Sequence, residues 1–110
     1  MGVISNMDLR LGPILQQAGL MHHFDFALSS YEARCAKPDP RIFSFALEKY
    51  SLTPIQPSHC CHVGDTYKTD YIGAVQAGWK AVLINQLSDA PEQLCQCKNI
   101  SELNSLLNSL

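Results

Sequence analysis

The run from Cys60 to Ala74 (Cys-Cys-His-Val-Gly-Asp-Thr-Tyr-Lys-Thr-Asp-Tyr-Ile-Gly-Ala) holds two acids set around a glycine. It reads as a short buried strand ending at Val63, a bend at Gly64, and a helix carrying Ile72, Ala74 and Val75. Asp65 projects beyond the strand's carboxyl end, and Asp70 follows where the chain turns back into the helix. Crevices outside the carboxyl ends of parallel strands are where open α/β sheets bind ligands. Two carboxylates with no hydrophobic task there suit a hard cation of the Mg²⁺ type, which uses few carboxylates and keeps several waters. Ser5-Asn6, closing the apolar run Gly2-Val3-Ile4, adds a hydroxyl and an amide able to hydrogen-bond phosphate oxygens. Lys37, in Lys37-Pro38-Asp39-Pro40-Arg41, adds a cation that neutralises a phosphoryl group or an acyl phosphate. Together these residues form a phosphoryl-binding set, with Mg²⁺ at Asp65 and Asp70 offsetting the remaining charge. Each has an ordinary reading alone: Ser5-Asn6 as turn formers, Lys37 as a solvated loop lysine, Asp65 as a helix N-terminal acid. Their order, at successive strand ends, is what favours the chemical reading.

Such a set needs strands to end on it and helices to return the chain. Gly2 to Asn6 predicts a buried parallel strand running into a loop. Pro13 to Leu20 has helical spacing at Ile14, Leu15 and Ala18, with Pro13 in the first turn and Gly19 as the stop. Phe24 to Leu28 predicts a second strand ending at Ser29-Ser30. After Tyr31 to Ala36, the prolines at 38 and 40 impose an extended approach and then begin a helix. That helix should turn Ile42, Phe43, Ala46, Leu47 and Tyr50 inward, with a loop from Thr53 to Ser58 behind it. The strand and helix around Gly64 follow, ending near Gly78, and Lys80 to Asn85 predicts another buried strand. Asp89-Ala90-Pro91 starts an irregular connection. Asn99 and Glu102 fit a capping box, and Ile100, Leu103, Leu106, Leu107 and Leu110 share one helical face, expected to pack. The alternation βαβαβαβα predicts an α/β fold with a parallel sheet.

Composition narrows the partners. With 110 residues, 46% hydrophobic and 16% charged, the chain is expected to be globular and one domain at most. The net charge is −2 and the eight Lys and Arg are scattered, so no basic stripe tracks a nucleic-acid backbone. No apolar run approaches a membrane span, and no signal peptide opens the chain; an intracellular setting and no membrane partner are expected. The five cysteines, Cys35, Cys60, Cys61, Cys95 and Cys97, then read as free thiols in a reducing compartment. His59-Cys60-Cys61-His62 lacks zinc spacing, because neighbours on a strand face opposite ways. His22-His23 reads as loop for the same want of a spaced partner. The absence of G-x-G-x-x-G and G-x-x-x-x-G-K-[ST] disfavours a nucleotide-binding module.

Ser-Asn after a hydrophobic strand, Lys-Pro-Asp-Pro before Ile-Phe, and Gly-Asp-x-x-x-x-Asp followed by Gly-Ala, in that order, resemble the haloacid dehalogenase (HAD) superfamily. The resemblance runs from about Gly2 to Asn85. It implies a three-layer Rossmann-like fold and a Mg²⁺-dependent phosphatase acting on a phosphorylated small molecule through an aspartyl-phosphate. It also implies roles: Ser5 as the motif II hydroxyl, Asn6 beside it near substrate, Lys37 as the motif III lysine, and Asp65 and Asp70 as the motif IV acids around Mg²⁺. The family's first motif, Asp-x-Asp, holds the nucleophile and has no counterpart in these residues. Residues 1–110 are therefore expected to be the C-terminal part of a HAD-like core domain, from a truncated or alternatively started product, without the cap domain. The family's central motif I strand is then missing too, and the sheet is expected to be incomplete, with Gly2–Ser5 and Cys61–Val63 lacking their shared neighbour. Such a chain is expected to lack turnover on its own and to bind Mg²⁺ weakly or not at all. The alternative is a non-catalytic phosphate- or Mg²⁺-binding regulatory fragment that pairs with another protein through a sheet edge.

Overall fold

The computed structural model describes residues 1–84 and 95–108. The fold is α/β with every strand pairing parallel, and it divides into two compact units, Met1–Ile55 and Gln56–Leu110.

In the first unit β1 (Gly2–Ser5) lies along β2 (Phe26–Ser29), with Gly2 opposite Phe26 and Ser5 opposite Ser29. Between them run α1 (Leu11–Gln17) and a single 3₁₀ turn, Met21–His23. After β2 come the one-turn α2 (Ser30–Ala33) and the longer α3 (Pro40–Tyr50). Asp39 caps α3 by accepting the Arg41 N–H at 2.9 Å, and Pro40 takes the first helical position, where its missing N–H has no partner to lose. Ile42, Phe43 and Ala46 then fall on one face and are buried with Ile4, Leu11 and Leu28. Tyr50 turns in far enough to stack on Phe26, ring centroids 4.6 Å apart.

Local chemistry moves several predicted boundaries. Helix α1 begins before Pro13 and buries Leu11, leaving Ile14 exposed. Strand β2 starts at Phe26, and just before it the Asp25 N–H donates to the Met1 carbonyl at 2.7 Å. Helix α2 is not foreseen. It forms because Ser29, buried at the end of β2, accepts the Glu32 N–H at 3.1 Å. It stops at Arg34, whose φ of 59° is left-handed. A side chain there costs roughly 1–2 kcal/mol, partly offset by the larger unfolded-state freedom of glycine. Arg34→Gly is therefore expected to raise stability by about 0.5–1 kcal/mol, read as a higher urea midpoint at constant slope.

In the second unit the order is β3 (Cys61–Gly64), β4 (Lys80–Ile84), β5 (Gln96–Cys97). Cys61 pairs with Lys80 and Gly64 with Leu83. The link from β3 to β4 is a π-turn, Tyr67–Ile72, running into the short α4 (Gly73–Gln76). Gly78, at φ +85°, lets the chain leave that helix for β4. The buried apolar residues here are Ala74, Ala81, Val82, Leu83 and Cys97. Of the apolar residues carried by this turn and helix, Ala74 is buried and Val75 is exposed. Strand β1 is an edge of the first sheet and β3 an edge of the second.

Helix α5 (Ile100–Asn108) begins with the expected cap: the Glu102 N–H donates to Asn99 Oδ1 at 2.9 Å. The returning bond goes one residue earlier, from the Lys98 N–H to the Glu102 carboxylate at 2.7 Å. The predicted packing face is only partly realised. Leu103 and Leu106 are half-buried, Ile100 is 72% exposed and Leu107 is exposed as well. Helical phase aligns them, but among the described residues only Leu103 and Leu106 of the stripe are covered enough to count as half-buried. Leu110, Asn85 and Asp89-Ala90-Pro91 lie outside the described residues. No helix among the described residues is long and apolar enough to cross a membrane.

Candidate functional site

In the second unit the chain leaves β3 at Gly64 and closes a loop over residues 64–70. Asp70 is only 6% exposed, yet both of its carboxylate oxygens are engaged. Oδ2 accepts the Thr66 N–H at 3.1 Å, and Oδ1 lies 3.0 Å from Nε2 of His62 on β3. Burying a carboxylate is tolerable only with such partners. The Thr66 carbonyl in turn accepts the Asp70 N–H at 2.8 Å and the Tyr71 N–H at 3.4 Å, which opens the π-turn. Gly64 is required by space rather than by backbone angle. A Cβ at this position would clash with the Asp70 side chain.

Asp65 is placed differently. It is exposed at the carboxyl end of β3, with Oδ1 accepting the Thr66 hydroxyl at 3.0 Å. Thr66 therefore touches both acids, through its N–H on one side and its hydroxyl on the other. Among the described residues no three His, Cys, Asp or Glu side chains gather in a metal-holding group. The donors present at this turn are carboxylate oxygens, which fit Mg²⁺, an ion content with one or two carboxylates and water.

In the first unit Ser5 ends β1, half-buried, and Asn6 starts the following loop. The Asn6 amide grips the Lys37 peptide at two points. Its Nδ2 donates to the Lys37 carbonyl at 3.0 Å, and its Oδ1 accepts the Lys37 N–H at 2.8 Å. The pair of bonds works like one rung of a sheet, fixing the half-buried Lys37 beside the end of β1. A second tie anchors the loop after β1 to the start of α2: the Ser30 hydroxyl and the Tyr31 N–H both donate to the Met7 carbonyl at 3.2 Å. Beyond Lys37 comes a cis peptide to Pro38, then Asp39, whose carboxyl is held below the usual range by hydrogen bonds from the Arg41 side chain and N–H. Burial pushes the thiols of Cys35, Cys60, Cys61 and Cys97 up, which keeps them protonated and poorly reactive.

The structure thus brings Asn6 onto Lys37 next to Ser5 in one unit, and joins Asp65 to Asp70 through Thr66 in the other. Sequence reasoning places Asn6 near substrate, and in the structure its amide bonds the Lys37 backbone. It also passes over His62 and Thr66. The signal for His62 was present: residues two apart on a strand share a face, so His62 looks out over Gly64, where Asp70 tucks in. Asn6→Ala removes both bonds to Lys37 and is expected to cost about 1–2 kcal/mol. A rise in hydrogen exchange at the Lys37 amide larger than at Ile42 and Phe43 would register the loss.

A family model described as haloacid dehalogenase-like hydrolase matches residues 1–78. The chain is 44% identical over 90 residues to the Rhythmically expressed gene 2 protein of Drosophila melanogaster, a match covering 82% of this chain and 35% of that protein. It is 46% identical over 85 residues to the haloacid dehalogenase-like hydrolase domain-containing protein 3 of Danio rerio, covering 77% of this chain and 34% of the relative. The crystal structure of a HAD phosphatase from Thermococcus onnurineus is similar at TM-score 0.84 and 26% identity, over 96% of this chain and 49% of that one. The chain spans about a third of the length of these two curated relatives.

Proposed function

The chain belongs to the haloacid dehalogenase-like hydrolase family, and from that membership we propose that residues 1–110 are the C-terminal part of a Mg²⁺-dependent phosphatase core. The observation that carries this reading is the split between the two acids: Asp65 open at the end of β3, Asp70 buried behind it and holding the turn. In this reading Asp65 supplies an oxygen to Mg²⁺ and Asp70 backs it from within the loop. Bound there, Mg²⁺ supplies positive charge against a phosphoryl group. The Ser5 hydroxyl donates to a phosphoryl oxygen, and the Lys37 ammonium neutralises the charge that develops on the transferring group. Asn6 serves the substrate through Lys37, whose backbone it fixes. The substrate is a phosphorylated small molecule. Nucleic acid is not a partner, since the basic residues form no stripe, and neither is a membrane. An intracellular setting suits the free cysteines, which persist as thiols in a reducing compartment.

The 110 residues contain no Asp-x-Asp, so the aspartate that would be phosphorylated in the intact fold is not among them. The chain alone should show no covalent phosphatase turnover. A chromogenic phosphate ester with added Mg²⁺ tests this. Hydrolysis that survives purification and vanishes in Asp65→Asn would overturn the reading.

A non-catalytic role is the second reading, favoured by β1 and β3 standing at sheet edges with backbone groups suited to a partner strand. Light scattering decides it: a monomeric mass both alone and mixed with an intact relative removes it.

A further inference from the structure

We propose that His62 is the positioning residue of the Asp65 turn, acting through Asp70 and Thr66. The turn is held by direct contacts among these four residues. Its consequence for metal rests on the proposed role of Asp65.

His62 lies on β3 opposite Ala81 of β4, so its backbone is held by the sheet. With Gly64 on the same face there is no side chain between the imidazole and the π-turn, and the Asp70 carboxylate fills that space. The His62 and Asp70 side chains are 11% and 8% exposed, and Nε2 stands 3.0 Å from Oδ1. A carboxylate accepts but does not donate, so the contact requires the proton on Nε2. The other oxygen, Oδ2, takes the Thr66 N–H. A carboxylate is a rigid plane, and fixing Oδ1 from the strand fixes the direction of Oδ2. Thr66 then passes the constraint on, since its hydroxyl donates to Asp65 Oδ1 at 3.0 Å. The path runs from strand to imidazole, to carboxylate, to turn amide, to the outward acid. Such outer contacts orient metal-facing carboxylates, and their removal commonly costs 10–100-fold in metal affinity.

Nuclear magnetic resonance on the whole chain tests this. In the native protein, long-range proton–nitrogen spectra should show His62 with its proton on Nε2. The Thr66 amide should exchange at least tenfold more slowly than in His62→Leu, with Val82 and Leu83 on β4 unchanged between the two. His62→Gln, which carries an N–H at a similar reach, should restore the protection. Titration with Mg²⁺ alone should show binding weakened about tenfold in His62→Leu and recovered in His62→Gln. An unprotonated Nε2 in the native chain overturns the proposal without any variant having to fold. So does equal Thr66 protection in native and His62→Leu chains. If the native chain gives no Mg²⁺ response while the tautomer and Thr66 results hold, the metal reading of Asp65 fails and the positioning role stands.

Discussion

Gly64→Ala should lower the stability of the second unit by about 3 kcal/mol, near the upper end for overpacking a tight site. The added methyl group would clash with the Cβ, carboxyl carbon and Oδ2 of Asp70. Asp70 has no nearby refuge, because it is buried and engaged on both oxygens. Moving it breaks the Thr66 N–H bond and the His62 contact together, leaving buried polar groups to be satisfied again at about 1–3 kcal/mol each. Urea unfolding followed by amide signals from β4 would measure the change. A Gly64→Ala chain within about 0.5 kcal/mol of native would mean that Asp70 has room to withdraw, contrary to the packing described. The prediction also separates two uses of glycine. Gly78 answers to its positive φ, whereas Gly64 answers to the side chain that crosses it.

That distinction shows what the amino-acid order could reveal. Strand positions, the α3 face at Ile42, Phe43 and Ala46, and the Asn99 cap are legible because periodicity and capping are local. The candidate residues can be singled out by type and order, but the partners each one takes cannot. Nothing in Gly-Asp-x-x-x-x-Asp separates the outward acid from the buried one. That depends on a π-turn, a hydrogen-bond pattern with no periodic signature. Asn6 is a parallel case, since its partner is the backbone of a residue 31 positions on. Helix α2 was missed because a four-residue helix has no periodicity to read, and its cap, Ser29, looked like the end of a strand.

The two acids should separate cleanly under substitution. Asp65→Asn leaves the fold within about 0.5 kcal/mol of native, as expected for an exposed residue whose Thr66 contact an amide oxygen can still accept. Asp70→Ala removes the acceptor of the Thr66 N–H and the partner of His62 Nε2 from a buried position. Leaving the Thr66 N–H and His62 Nε2 without their acceptor costs about 1–3 kcal/mol each, so a total loss near 3 kcal/mol is expected. In the proposed metal role the order partly inverts. Asp65→Asn should weaken Mg²⁺ binding roughly tenfold, about 1.4 kcal/mol, with no loss of structure. Asp70→Asn, which keeps the shape and an oxygen for Thr66, should weaken it less. Urea midpoints and Mg²⁺ titration on the same three variants give both axes. Equal destabilisation by Asp65→Asn and Asp70→Ala would remove the buried-anchor role of Asp70. Mg²⁺ binding indifferent to Asp65→Asn would remove Asp65 as the ligand, leaving the loop as a structural knot at the end of β3.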